Sequence, residues 1–428
     1  MKILMLSQFY PPVIGGEERH VVSLSEGLVK RGHEVVMATM PHPERDEVEV
    51  LNGVKVQSLR GLCQRASYLF SEIERPHAPP FPDPELLFRL SRIVAEFKPD
   101  IVHGHNWLMQ SFLPVKLWSN VGLVSTLHDY GLVCPIKTFI HKGELCDGRG
   151  VSKCLKCASA HFGPAMGVVT AASHSVFAPM HRRVVDCFIT VSHAVAEQSG
   201  LAGGKYPYRV LPTFIPDDLD KLSADVDPRL EQLPPDGYLL FVGDLNRRKG
   251  VDILLSAYEQ LKSAPPLVLI GRRCTDTPER LPPNVLLFES WPHAAVMHAW
   301  SRCLFGLVPS TWVDPCPTVV MEANVVGKTV IVSGHGGLAE LVDNGRTGLH
   351  VKPGDVESLA AAMQDLLSCP ALRETLEKNA RAKVETYKAS SVIPRIEAIY
   401  REAAAAGFRG SRRVPAASHS PEERRHVI

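Results

Sequence analysis

The chain has 428 residues, 45% hydrophobic and 22% charged, with a formal net charge of +1. That length suits two domains of ordinary size, and the composition is that of a folded globular protein rather than a disordered one. Near-neutrality gives no reason to expect nucleic acid as a partner, and ten cysteines in a chain this long do not read as a secreted disulfide framework.

The opening run from Lys2 to Gln8 reads as a short buried strand, broken by Pro11-Pro12 too early for a signal peptide. No uninterrupted apolar run approaches a membrane span, so a cytoplasmic location is expected. A turn with Gly15-Gly16 follows. Glu17 to Lys30 then has helical periodicity, and Glu34 to Thr39 reads as the next strand. This βαβ unit implies a parallel sheet, whose ligands sit outside the carboxyl ends of the strands, where Gly15 and Gly16 stand. Val54 to Leu59, Asp100 to His103 and Leu123 to Leu127 continue the strand pattern, with a Pro-rich loop over 60–84 and a helix from Glu85 to Phe97. His103-Gly-His105 has no carboxylate spaced to complete a metal site and reads as a polar loop at a strand end. His128 follows the strand at Leu127, again at a carboxyl end; catalytic and structural readings of it both stand.

Cys134, Cys146, Cys154 and Cys157 come next, the last two as Cys-Leu-Lys-Cys. Four thiolates from one loop resemble tetrahedral zinc spacing, and such a closed site would be structural; four free thiols are the alternative. Asp186 to Ser192 and Arg209 to Pro212 are further strands, and a polar, Pro-bearing segment over 214–237 reads as a linker. Its Asp225-Val-Asp227 has no strand before it and is set aside as a metal motif.

A second alternating series starts at Tyr238 to Val242. The following turn carries Arg247, Arg248, Lys249 and Gly250, three consecutive cations that suit a diphosphate clamp. Arg247 and Arg248 are equal candidates to assist Lys249. Further on, the apolar run Leu304 to Val308 delivers a loop holding Asp314, and a helix is expected from about Pro317 to its stop at Gly327. The N–H groups of Cys316, Thr318 and Val319 at its start can hold a phosphate, Glu322 can accept from a ribose diol, and Asp314 from a sugar hydroxyl. Gly334-His-Gly-Gly337 presents a second stretch of bare backbone. Ser391 to Ala404 is a last helix. Gly407 to Ile428 holds five Arg against two Glu and lacks core-forming residues, a disordered tail of the kind an anionic membrane attracts.

Asp314 and Glu322 with Ala323, Gly327, Gly336-Gly337, Glu340 and Gly348 resemble the retaining glycosyltransferases of family 4, from the start of the chain to about residue 402. The family's usual Glu is Asp314 here, and Asp244 stands where an Arg is usual; Lys249-Gly250 matches. The resemblance implies an α/β GT-B fold, two facing Rossmann-like domains with a cleft: 1–213 for the acceptor, with a Cys-containing insertion over 134–157, and 238–390 for the nucleotide sugar, with a crossover helix over 391–406. It implies that a sugar passes from a UDP- or GDP-linked donor to a hydroxyl of a carbohydrate or lipid-linked acceptor, with no cofactor required. His128, Asp314 and Lys249 would be catalytic, and Gly15, Gly16, Arg247, Arg248, Cys316, Thr318, Val319 and Glu322 would hold the donor. The work would be cell-surface polysaccharide or glycolipid synthesis, with peripheral attachment to the inner face of the membrane. A noncatalytic sugar-nucleotide-binding module and a nucleotide-sugar epimerase on the same fold are the alternatives.

Overall fold

A computed structural model describes residues 1–13, 15–65, 78–222, 227–235 and 237–408. Part of the Pro-rich loop, Asp225 and nearly all of the basic tail lie outside the described residues. The chain forms two compact units: Met1–Pro212 joined by the last helix from Val392, and Thr213–Ser391.

The sheet of the first unit has the order β10-β9-β6-β5-β1-β2-β4-β3. In chain order these are β1 (Lys2–Leu6), β2 (Glu34–Thr39), β3 (Val48–Leu51), β4 (Val54–Ser58), β5 (Ile101–Gly104), β6 (Gly122–Leu127), β9 (Cys187–Thr190) and β10 (Tyr208–Val210). All neighbours are parallel except the β3–β4 pair, an antiparallel edge that the sequence reading did not separate from its loop. The central strands are apolar on both faces because helices cover both. Asp83 starts the helix Pro84–Phe97 by accepting from the N–H groups of Glu85 and Leu86, with proline at the first helical position.

Between β6 and β9 comes a two-strand hairpin, β7 (Ile140–His141) and β8 (Glu144–Leu145). Two helices follow, Val151–Phe162 and Pro164–Val184, tightly packed on each other. A Cβ on Gly167 of the second helix would sit 2.3 Å from the Ser159 Cα of the first.

The last helix, Ala389–Phe408, completes the first unit. Its Tyr400 hydroxyl lies 2.6 Å from His103 Nδ1. Its Glu397 is buried and takes both Nε (2.5 Å) and Nη2 (3.1 Å) of Arg31, with His33 Nε2 at 3.0 Å.

The second unit carries the order β13-β12-β11-β14-β15-β16, all parallel. These strands are β11 (Leu239–Val242), β12 (Leu267–Ile270), β13 (Val285–Phe288), β14 (Phe305–Val308), β15 (Val330–Ser333) and β16 (Gly348–Val351). The segment expected to be a linker is anchored to this unit at a few points, most of its described residues staying exposed or half-buried. Leu230 and Leu233 join the core of this unit, and Ile215 donates its N–H to Tyr387 O. Proline and acidic residues made that stretch look like solvent-exposed chain, while its few leucines do the anchoring. Among the described residues, no helix is long and apolar enough to cross a membrane.

The Arg31 guanidinium first, then His33, hold the Glu397 carboxyl down to about 2. Depression of the folded-state value makes this a stabilising contact above about pH 4.5 that is lost as pH falls toward 2. Glu397→Gln is therefore expected to cost about 1–3 kcal/mol at pH 7. In thermal melts, its difference from the parent should shrink steadily below pH 4.5.

Candidate active site

In the second unit, four loops meet at the carboxyl ends of β11, β12, β14 and β15. After β11, Asn246 accepts from the Lys249 N–H and so shapes the turn Arg247–Lys249. Gly250 follows with φ +74°, and a Cβ there would stand 1.9 Å from Pro309 O in the loop after β14. Only glycine allows the cationic turn to lie directly on that loop. Lys249 is thereby aimed at Asp314: Nζ donates to Oδ2 at 2.5 Å, and Ser310 Oγ donates to the same oxygen at 3.3 Å. Asp314 is buried and Lys249 partly exposed, so the ammonium sits at the mouth of the site with its position set from beneath. Arg248 lies 5.9 Å and Lys249 5.8 Å from the ring centre of Trp312. The Arg247 N–H is bound to Asp276 Oδ2, and Thr311 bonds the carbonyls of Arg247 and Arg248.

Asp244, standing where the resemblance led us to expect an arginine, is held in a two-toothed ion pair with Arg272 at 3.0 and 3.2 Å. Arg272 comes from the loop after β12. The guanidinium at this corner therefore arrives from a different strand end than Arg247 or Arg248, and adjacency in sequence gave no signal for it.

The helix Thr318–Val325 starts one residue later than expected, with Pro317 as its cap in extended conformation. Gly327 has φ +80° just beyond its end, the left-handed stop that the sequence indicated. The first N–H groups of such a helix have no partner within it, which applies to Thr318 and Val319 and leaves the Cys316 amide just ahead of them. The Cys316 thiol bonds Thr213, and burial pushes it up to about 12, which disfavours the thiolate.

Glu322 is not the solvent-facing carboxylate of an ordinary helix. It is buried, 3.1 Å from His293 Nε2 and 3.5 Å from Thr318 Oγ1, which orient it. The loop after β15 brings Gly336 and Gly337 against the Asp314 loop. The Gly337 N–H is spent on Asp314 O at 2.9 Å, and a Cβ on Gly337 would stand 1.9 Å from Pro315 O. His335 Nε2 bonds Ser310 O at 3.1 Å, while burial lowers its basicity. These glycines hold the Asp314 loop in place, and less of their backbone is bare than the sequence suggested.

The first unit has its own polar cluster at the carboxyl ends of β1, β5 and β6. Gly15 caps the helix Gly16–Lys30, and a Cβ on Gly16 would meet nothing within 4 Å, so this loop borders open space. His128, just past β6, has Nε2 3.0 Å from His105 Nδ1. His20, from the second turn of the helix, meets His128 edge-on at 5.0 Å between ring centres. His103 is a core residue of β5 between Tyr400 and Thr126 Oγ1, which corrects its reading as part of a polar loop. Burial holds all four imidazoles neutral, His103 and His128 down to about 3. Burial and the nearby Glu18 raise the Glu17 carboxyl to about 8, and Asn106 Nδ2 donates to it at 2.9 Å. His20 and Glu17 were missed in the sequence, and His105 was read only as a polar residue at a strand end. The signal was there: His20 falls one helical turn after Gly16, on the buried stripe with Leu24.

Ligand nitrogens of His20, His105 and His128 lie within 4.8 Å of one another, the one such set of three potential metal ligands among the described residues. The His105–His128 contact already occupies one nitrogen of each. The four cysteines named by their spacing lie near one another. Cys134 is buried, Cys146 Sγ donates to Gly148 O at 3.3 Å, and Cys157 Sγ lies 3.1 Å from His141 Nδ1. Burial raises the thiols of Cys134 and Cys157, and the neighbouring Cys146 and Cys154 add to the rise at both.

The two parallel α/β units, with polar groups gathered at strand carboxyl ends, have the fold of the GT-B glycosyltransferases among solved structures. Residues 14–219 match the model of Glycosyltransferase Family 4, and residues 227–383 match that of Glycosyl transferases group 1. The chain belongs to this family of glycosyltransferases. It is 27% identical to the glycogen synthase of Mycobacterium tuberculosis, covering 90% of each chain. It is also 27% identical to a D-inositol 3-phosphate glycosyltransferase of Catenulispora acidiphila, covering 72% of this chain and 73% of that one. Among solved structures, the sucrose-phosphate synthase of Thermosynechococcus elongatus matches with a TM-score of 0.71 at 22% identity, over 95% of this chain and 99% of that one. HepE of Anabaena, solved with UDP and glucose, matches with a TM-score of 0.67 at 18% identity, over 94% and 99%.

Gly337→Ala should force the Asp314 loop away, at about 1–3 kcal/mol and a fall in melting temperature of about 3–10 °C; calorimetry reads this directly. In imidazole NMR spectra, His128 should show no titration between pH 8 and 5, since its folded value is near 3. Because that value lies below the ordinary 6.5, stability is expected to be full above pH 6.5 and to decline as pH falls toward 3.

Proposed function

We propose that this glycosyltransferase takes a sugar from a UDP- or GDP-linked donor and passes it to a hydroxyl of a carbohydrate or lipid-linked acceptor, keeping the anomeric configuration. The setting would be cell-surface polysaccharide or glycolipid synthesis at the cytoplasmic side of a membrane. The observation that carries the donor assignment is the Lys249 ammonium fixed by buried Asp314 beside the opening amides of the helix Thr318–Val325. The relatives' names and the UDP bound to HepE agree with it.

When the sugar C1–O bond breaks, its electron pair goes to the diphosphate oxygen and positive charge grows on the sugar ring. Lys249, the N–H groups of Cys316, Thr318 and Val319, and one of Arg247, Arg248 or Arg272 stabilise the departing diphosphate. The acceptor oxygen forms the new C1–O bond on the face the diphosphate leaves, and its proton passes to the phosphate oxygen. Glu322, oriented by His293, accepts from the ribose hydroxyls. Asp314 positions Lys249, a role nearer to the clamp than to the sugar. Gly15 and Gly16 leave room for ligand backbone contact, and neutral His128 offers one nitrogen to a sugar hydroxyl.

Lys249→Ala should lower turnover by about 100-fold or more while the melting temperature stays within a few degrees. Acceptor-dependent transfer from a panel of nucleotide sugars measures it. Near-normal transfer by this variant would remove the clamp. Appearance of an isomerised donor with no acceptor product would point to an epimerase instead.

A further inference from the structure

The helix Pro164–Val184 is apolar on two sides. Its inward stripe, through Gly167, Ala171 and Ala178, is buried against the first unit. Its other side also carries apolar residues, and these are exposed: Val168 by 50%, Val169 by 43% and Val176 by 65%. At 100° per residue, Ala165, Val169, Ala172 and Val176 fall on one narrow stripe, with Val168 at its edge. The neighbouring helix adds exposed Val151, Leu155 and Phe162. A second apolar stripe on a helix, opposite its buried one, normally has a cover. Among the described residues, nothing covers this one.

Charge indicates what the cover is. From Gly148 to Val185 the chain has no acidic residue and five cations. Arg149 and Arg182 bond backbone carbonyls, and Lys153 pairs with Asp147. Lys156 and Arg183 are exposed, one on each helix of the hairpin. A second copy of this chain would bring the same sign of charge to the same face, which opposes self-association. An anionic phospholipid surface meets both demands: acyl chains for the valine stripe and headgroup charge for the cations.

We propose that this helical hairpin is a membrane-docking surface. The helix Pro164–Val184 lies along an anionic lipid bilayer, with Val169 and Val176 at the acyl boundary and Lys156 and Arg183 against the headgroups. The hairpin belongs to the first unit and the donor clamp to the second, and docking needs neither donor nor acceptor.

The test is flotation of the full chain with vesicles of phosphatidylcholine alone or with phosphatidylglycerol. The parent protein is expected to float with the phosphatidylglycerol vesicles and to lose affinity as salt is raised. Val169→Asp with Val176→Asp should lower partitioning by about tenfold or more. Lys156→Gln with Arg183→Gln should weaken binding to the anionic vesicles only. All four positions are exposed, so melting temperature and UDP-induced thermal stabilisation serve as the check that the fold and the clamp persist. The proposal is overturned if the parent floats with neither vesicle, or if the aspartate variant floats as well as the parent. It is overturned equally if the parent elutes as a dimer that the aspartate variant dissolves while vesicle binding is unchanged.

Discussion

The second unit depends on backbone resting directly on backbone. At Gly250 the cationic turn lies on Pro309 O, and at Gly337 the loop after β15 lies on Pro315 O. No side chain stands between these loops, so their separation is fixed by van der Waals contact and cannot relax through a change of rotamer. The Lys249–Asp314 pair is a consequence of that stacking. An exposed lysine paired with a carboxylate usually contributes little and wanders. Here the carboxylate is buried and its loop is pinned on both sides, so the ammonium has one place to be. Preorganisation of this kind is what stabilising a departing diphosphate requires, because donors already in position need no reorganisation as charge develops.

The first unit works by the opposite means. Its polar cluster is made of side chains, four imidazoles and a carboxyl, kept uncharged by burial. Neutral imidazoles can donate or accept one hydrogen bond without drawing a counterion or ordered solvent into the site. A surface for sugar hydroxyls gains from this, since hydroxyls carry no charge to be matched. The two units thus differ in electrostatics: fixed positive charge gathered in one, uncharged hydrogen-bonding groups in the other.

Much of this was legible in the sequence. Alternating apolar runs and helical stripes gave the parallel sheets, and Gly327 marked its helix stop as left-handed. Lys249-Gly250, Asp314 and Glu322 were picked out by position. What remained hidden was partnership across distant segments. Nothing adjacent to Asp244 announces Arg272, and nothing near Glu322 announces His293. The Cys-Leu-Lys-Cys spacing drew attention to the thiols, but nothing in it announced His141 beside Cys157. The helix Pro164–Val184 escaped notice for a physical reason: with apolar residues on two sides it shows no clear stripe, and periodicity reads contrast between faces. The supposed linker misled in the same way, because its composition is polar while a few leucines anchor it.

The last helix has a bearing on how the chain is made. Glu397 and Tyr400 complete contacts begun by Arg31 and His103, which leave the ribosome hundreds of residues earlier. The unit built first is therefore finished last, while Thr213–Ser391, continuous in sequence, can fold as it emerges. Until the final turns arrive, the groove meant for them stays open. The amino-terminal unit is complete only once those last turns have been made.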